Sequence, residues 1–524
     1  MDSKALAEPE AVAGASTTGA SVLRGGAWNV ASRAIPQVYL VVVSIAAARF
    51  LGPDRLGRQS FIAFSSITVA TLFTAGLPSA LTRFVGDAMG RGRPAEARGL
   101  LDWGWRAEAL GAAAAGGLLA AAVVAGAEPR AAWALAAVIA AAGVLVKVPN
   151  SFLIGVQRWR GATVAGLATG TVGTAATVVV LAAGGGITGM FAVEACVALA
   201  TLALLGRVAR QASLALPAPA EAPPQLRRAV VRYAAVSSIS IVITLVIWRR
   251  SELFFLEHFS SDTEIAFYSI AFAAVTAPVV IFQAMTSVLF PAVATLFGAG
   301  AEERIRSGYS RASRLLVMAS FPLTSFGIAL GPALLRLAYG RGFGSAGPVF
   351  LILVSILPLI PLVNLAGVTL SAIGRLWPPI FVGIVASIVD VVLDIVLIPQ
   401  HGAVGAAVAN VAAQATAAIG IVAYAERALG GTQWKKGALA RAATAAAGAG
   451  LVAWAAVQWL GDVTGLVVGL GAGVLTFVLL GRALRILPAA DAAWLEDIAG
   501  RLAGGRVGRL IRLWAEPVAE ARAS

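Results

Sequence analysis

Apolar residues run along this chain in blocks of roughly twenty, the length an α-helix needs to cross the hydrocarbon of a bilayer, and short polar or basic segments separate the blocks. Cut on that basis, the sequence predicts fourteen spans: 28–49, 60–81, 108–126, 132–154, 162–183, 187–206, 233–256, 265–290, 315–338, 346–370, 377–398, 402–424, 437–460 and 463–481. The expected fold is an all-α polytopic membrane protein.

The order of weak identities along the chain adds an internal repeat to this picture. Sliding the sequence by 209 positions places Phe50 on Phe259, Leu56 on Ile265, Ser60 on Ser269 and Gly99 on Gly308. Further along, Gln157-Arg158 falls on Gly374-Arg375 at a shift of 217, and Gly186-x-x-Gly189 on Gly402-x-x-Gly405 at 216. Two pseudo-symmetric six-helix lobes follow, residues 28–206 and 233–425, with two extra C-terminal helices in 437–481. Six is even, so both lobes have the same orientation and are related by an axis along the membrane normal, with a substrate path between them. Residues 1–27 form an N-terminal tail, and 207–232, with Pro217, Pro219, Pro223 and Pro224, a tether. In the tail 482–524, Trp494, Leu495, Ile498, Leu502, Leu510 and Ile511 recur at helical intervals among arginines, the pattern of an amphipathic helix on an anionic membrane surface.

Composition agrees: 59% of the 524 residues are hydrophobic, 13% are charged, and mean hydropathy is +0.85. The first two dozen residues lack an apolar core, so the first span is expected to insert as its own signal. The net charge of +14 would suit nucleic acid, but its distribution argues against that partner, because arginine and lysine concentrate in alternate loops. Arg83, Arg91, Arg93, Arg98, Arg207, Arg228, Arg232, Arg304, Arg311 and Arg314 are on one side, against Arg49, Arg55, Arg58, Arg130 and Arg341 on the other. Both termini are therefore expected in the cytoplasm, and the protein in the cell membrane. Cys196 is alone, which excludes an intrachain disulfide or cysteine-based metal site, and His258 and His401 sit at span ends. No nucleophile or metal constellation is visible, so neither an enzyme nor a cofactor is expected.

Ionised groups inside the spans are the candidate chemistry, since each costs about 2.5–3.5 kcal/mol to place at mid-bilayer and so faces protein or water. Arg249, Arg250, Arg33 and Lys147 are the cations, and arginine's planar fork suits the oxygens of a phosphate. Arg33 and Lys147 each stand about two turns from a span end, where snorkelling to the headgroups explains them equally well. Arg249 and Arg250 point about 100° apart, so one faces a cavity while the other pairs with Glu252 or reaches outward. Asp390 and Asp394 share one helix face at i and i+4, a place where a proton can be held, with hydrogen-bonded structural packing as the alternative. Glu194 is the corresponding lone carboxylate of the first lobe, and a structural ion pair is its other reading. Asn410 and Gln414 read as interhelical hydrogen-bonders ahead of sugar ligands.

Several motifs together resemble the polysaccharide or oligosaccharide flippase family of the multidrug/oligosaccharidyl-lipid/polysaccharide (MOP) exporter superfamily. They are Arg49-Phe-Leu-Gly-Pro-Asp-Arg-Leu-Gly-Arg-Gln-Ser60, Gly76-Leu-Pro-Ser-Ala-Leu-Thr-Arg83, Ile265-Ala-Phe-Tyr-Ser-Ile-Ala-Phe272, Leu337-Ala-Tyr-Gly-Arg-Gly-Phe343 and Ile398-Pro-Gln-His-Gly-Ala-Val-Gly405. The resemblance implies a monomeric two-lobed transporter that moves a polyprenyl-pyrophosphate-linked glycan between leaflets of membrane lipids, with H+ or Na+ as coupling ion. It implies a cationic central cavity for the pyrophosphate, for which the residues themselves offer Arg33, Lys147, Arg249 and Arg250 as substrate contacts, with Asp390, Asp394 and Glu194 as candidates for ion coupling. The peptidoglycan-precursor branch carries an arginine-aspartate pair in its first helix, whereas only Arg33 is present here. A cation-coupled drug or metabolite exporter is the competing reading; a glycan polymerase or ligase fits less well, because every predicted outer loop is short.

Overall fold

The computed structural model describes residues 19–220, 223–248, 251–287, 289–375, 377–432, 434–503 and 514, and its elements are helices. The first half holds α1 (Gly19–Thr74), α2 (Leu77–Gly90), α3 (Pro94–Val124), α4 (Arg130–Leu145), α5 (Lys147–Gly155), α6 (Trp159–Ala182) and α7 (Gly186–Leu214). The second holds α8 (Pro224–Trp248), α9 (Glu252–Phe259), α10 (Asp262–Ser287), α11 (Leu289–Gly298), α12 (Glu302–Tyr339), α13 (Ala346–Val354), α14 (Ile360–Ala372) and α15 (Trp377–Leu429). Helices α16 (Lys436–Leu460), α17 (Asp462–Ala483) and α18 (Ala489–Ala503) complete the chain.

Nine helical stretches among the described residues are long and apolar enough to cross a membrane. That is fewer than the fourteen spans expected from the sequence. Helices α1 and α15 each carry two predicted spans, broken at Gly52 (φ 77°) and Gly402 (φ 52°), where the left-handed backbone suits only glycine. Predicted spans 60–81, 132–154 and 346–370 are each divided between two helices. In the last of them Pro361 sits in the first turn of α14, where its missing N–H costs nothing. Apolar length predicts how much chain crosses, but a helix break is a local backbone event that a hydropathy window averages away.

The internal repeat has a structural counterpart. Helix α5 ends with Arg158 N bonded to the Leu153 carbonyl and Gln157 N to that of Ile154. Helix α14 ends the same way 217 residues later, with Arg375 N on Leu370 and Gly374 N on Ser371. Gln157 (φ 60°) and Gly374 (φ 77°) both adopt the left-handed conformation this ending requires, as do Gly186 (φ 60°) and Gly402 (φ 52°).

The two halves meet closely on the membrane face that carries few arginines. A Cβ on Gly57 would run into the Asp262 carbonyl, so only glycine allows this approach of α1 to α10. Beside it Arg58 bonds Glu257 at 2.7 Å and Asp262 at 3.3 Å, and the Arg49 Nε donates to the Ala338 carbonyl at 2.7 Å. The largest apolar cluster spans this junction, joining Leu51, Leu56 and Phe61 to Leu253, Ile265 and Tyr268. Phe254 seats edge-on against Phe64, with ring centroids 4.9 Å apart. Toward the arginine-rich face the halves touch again where Gly76 N donates to Ser238 Oγ at 3.0 Å. Large side chains such as Val172, Trp459 and Val467 are left exposed, as a lipid-facing surface requires.

Ion pairs fasten the last helices to α12 at both ends. Arg336 grips Asp462 with two bonds of 2.6 and 3.2 Å. At the opposite end Asp491, fully buried, accepts from Arg314 at 2.8 and 3.0 Å and from Arg311 at 3.2 Å. The first turn of α18 is thus docked on protein, while much of the tail read as an amphipathic helix, including Leu510 and Ile511, lies outside the described residues. Its charge pattern is amphipathic, but Asp491 neutralises arginines that the sequence pattern assigns only to orientation. Removing one partner of a buried pair strands the other. Asp491→Asn is therefore expected to destabilise the detergent-solubilised protein by about 3 kcal/mol, seen as a lower unfolding temperature.

Candidate functional site

The buried polar chemistry among the described residues gathers in the second half, where α9, α10 and the two segments of α15 meet. Helix α9 opens with Glu252 just after Ser251, and the first segment of α15 presents Asp390 and Asp394 one turn apart. Beyond the break at Gly402 the second segment presents Asn410 and Gln414 with the same spacing. A hydrogen bond across helices fixes that break: Glu264 of α10 accepts from Ala403 N at 2.8 Å, capping the new helix start.

Glu252, Asp390, Asp394 and Asn410 have no exposed surface, and the carboxylates lie within electrostatic range of one another and of the Tyr268 phenol. Asn410 Nδ2 donates to Glu252 Oε1 at 2.6 Å, and Gln414 Nε2 donates to Asn410 Oδ1. Ser251 Oγ donates to Asp390 Oδ2 at 3.3 Å. That leaves Asp390 Oδ1, both Asp394 oxygens and Gln414 Oε1 buried without a hydrogen-bond partner, while the Tyr268 hydroxyl lies close enough to engage the Glu252 carboxylate. Three carboxylates in so dry a place cannot all be charged without a compensating proton or cation. The unsatisfied oxygens are therefore the acceptors such a guest would use. Among the described residues no three acidic or other metal-ligating side chains converge tightly enough to hold a metal ion.

The expected site residues are not gathered in one place. Asp390 and Asp394 are together, as the i, i+4 spacing predicts. Glu194 is not with them: α7, which carries it, packs on α4, α5 and α6 in the first half. Lys147, at the start of α5, lies in the field of Glu108 on α3, whose carboxylate is buried. Its charge is thus shared with a carboxylate that the span boundary at residue 108 conceals in the sequence. Arg249 and Arg250 lie outside the described residues, between the end of α8 and Ser251, and the side chain of Arg33 lies outside them as well. Asn410 holds one oxygen of Glu252, and the reading that pairs Glu252 with a neighbouring arginine falls on residues outside those described. Tyr268 is the member that sequence reasoning passes over, because an aromatic inside Ile265-Ala-Phe-Tyr-Ser-Ile-Ala-Phe272 reads as apolar packing.

Two family models match the chain, one described as lipid II flippase MurJ over residues 160–470 and one as polysaccharide biosynthesis protein over residues 22–297. Among solved structures, lipid II flippase MurJ in an inward closed conformation is similar with a TM-score of 0.68 at 11% identity, covering 91% of this chain and 99% of that one. A multidrug resistance MATE family transporter of the MOP superfamily, inward-facing, aligns with a TM-score of 0.63 at 14% identity over 75% of this chain and 94% of its own. A MOP superfamily transporter from Pyrococcus furiosus, described as having a binding pocket of reverse polarity, gives 0.57 at 15% identity over 79% and 99%. At such identities these structures establish a shared fold. No curated protein matches the sequence.

Asn410 on α15 donates directly to a buried oxygen of Glu252. Asn410→Ala is expected to lower stability by about 1–3 kcal/mol, because it strands a buried carboxylate oxygen. Thermal unfolding of the purified protein checks this; an unchanged midpoint would mean that the oxygen is otherwise satisfied.

Proposed function

Because the chain belongs to the flippases of the MOP superfamily, matching the MurJ and polysaccharide biosynthesis models over more than half its length each, we propose that its cargo is a polyprenyl-pyrophosphate-linked saccharide. The cargo moves from the inner to the outer leaflet by alternating access, for assembly of a cell-surface polysaccharide. In this reading the two six-helix units rock about the substrate path, both termini are cytoplasmic and the protein works as a monomer. H+ or Na+ binding at Asp390 and Asp394 drives the cycle.

One observation carries the proposal. Arg249 and Arg250 directly precede Ser251 and Glu252 in the chain, so two cations suited to pyrophosphate adjoin a buried, incompletely satisfied carboxylate cluster. Anion and cation binding on contiguous residues supplies a means of coupling: a guest cation that relieves Glu252, Asp390 and Asp394 alters the field at the arginines a few ångströms of chain away.

The test is flipping of a fluorescent polyprenyl-pyrophosphate-linked saccharide by the full-length protein in liposomes. Two charge-assisted hydrogen bonds to phosphate contribute enough that Arg249→Ala with Arg250→Ala should slow flipping by on the order of a hundredfold, with insertion unchanged. Undiminished flipping would remove the arginines from substrate binding. Transport of a cationic drug in place of the lipid-linked saccharide would favour the exporter reading.

A further inference from the structure

A second polar feature, apart from the carboxylate cluster, lies where α2 meets α8 near the arginine-rich face. It is an open cleft of about 580 Å³, walled by Arg83 and Phe84 from α2 and by Arg228, Arg232, Tyr233 and Val236 from α8. The α8 residues recur at three- and four-residue intervals and so form one stripe of that helix. The Arg83 guanidinium lies 4.6 Å from the Tyr233 ring centroid, and Phe84 meets the same ring edge-on at 6.1 Å. Arg83 is thereby held by an aromatic face while its N–H groups stay available. Among the described residues none of Arg83, Arg228 and Arg232 is in an ion pair. All three side chains are exposed. Helix α8 begins at Pro224 with no acidic residue in its first turn, so its N-terminal partial charge adds to theirs.

From this geometry we infer that the α2–α8 cleft binds the phosphate of an anionic membrane phospholipid. Three guanidiniums from two helices supply the charge-assisted donors that a phosphodiester takes. The cleft is graded along α8: Arg228 stands near the helix start, Arg232 one turn on, and Val236, 58% exposed, one turn further. From Arg228 to Val236 the rise is roughly 12 Å, which places headgroup chemistry over an apolar wall that faces acyl chains. A free anion in water would gain nothing from Val236; a lipid uses both ends of the gradient. The bound phosphate would bridge the two halves, because Arg83 belongs to one and Arg228 and Arg232 to the other.

This inference does not rest on the saccharide reading, and its test uses no saccharide. Native mass spectrometry of the purified full-length protein, titrated with phosphatidylglycerol and with phosphatidylcholine, reads the preference directly. The wild type should retain phosphatidylglycerol preferentially. Arg228→Gln with Arg232→Gln, and separately Arg83→Gln, should reduce that preference about tenfold, with helical content checked by circular dichroism. If the double variant does not fold, Arg83→Gln, a single exposed change on the other helix, carries the test alone. Inorganic phosphate should leave phosphatidylglycerol retention unchanged. Equal lipid preference in wild type and variants would overturn the assignment, and so would displacement of the lipid by inorganic phosphate, which would mark a site for free anions.

Discussion

Hydrocarbon offers a charged side chain neither water nor counter-ions, and the placement of charge in this protein follows from that constraint. Arg58 with Glu257 and Asp262, Arg336 with Asp462, and Arg314 with Asp491 are partnered near helix ends. Glu252, Asp390 and Asp394 are the departure. They share a dry pocket with amide, hydroxyl and phenol neighbours and leave carboxylate oxygens unsatisfied. Asp491, by contrast, is buried and met directly by Arg311 and Arg314.

The helix breaks serve that cluster. An unbroken helix through 377–429 would carry Asn410 and Gln414 steadily away from Asp390; the turn at Gly402, capped by Glu264, lets the second segment of α15 return its amides to the same pocket. Ser251 and Glu252 likewise stand at a helix start, that of α9. Backbone irregularity inside a membrane is tolerated where it is buried in protein, and here the irregular points flank the polar residues. The first half has no comparable gathering among its described residues, with Glu108 and Lys147 answering one another instead.

Much of this architecture is legible in the sequence. Apolar blocks and arginine-bearing loops give the class, and the weak repeat that pairs Gln157 with Gly374 reappears as the same helix ending in both halves. The spacing of Asp390 and Asp394 already places them on one face. Long-range partners are not legible: nothing local says that Glu252 meets Asn410 across 158 residues, that Asp491 folds back on Arg314, or that Glu108 stands opposite Lys147. Those contacts depend on how helices pack, and a linear pattern of polar residues is compatible with many packings.

If the cluster holds a proton or sodium ion, its carboxyl groups must change state with that cation while remaining out of contact with bulk water. Infrared difference spectroscopy in the carboxyl stretching region, recorded on the protein in lipid between low and high pH and with and without sodium, observes this directly. The account predicts a cation-dependent carboxyl band that is lost in Asp390→Asn with Asp394→Asn. A difference spectrum identical in wild type and double variant would contradict it.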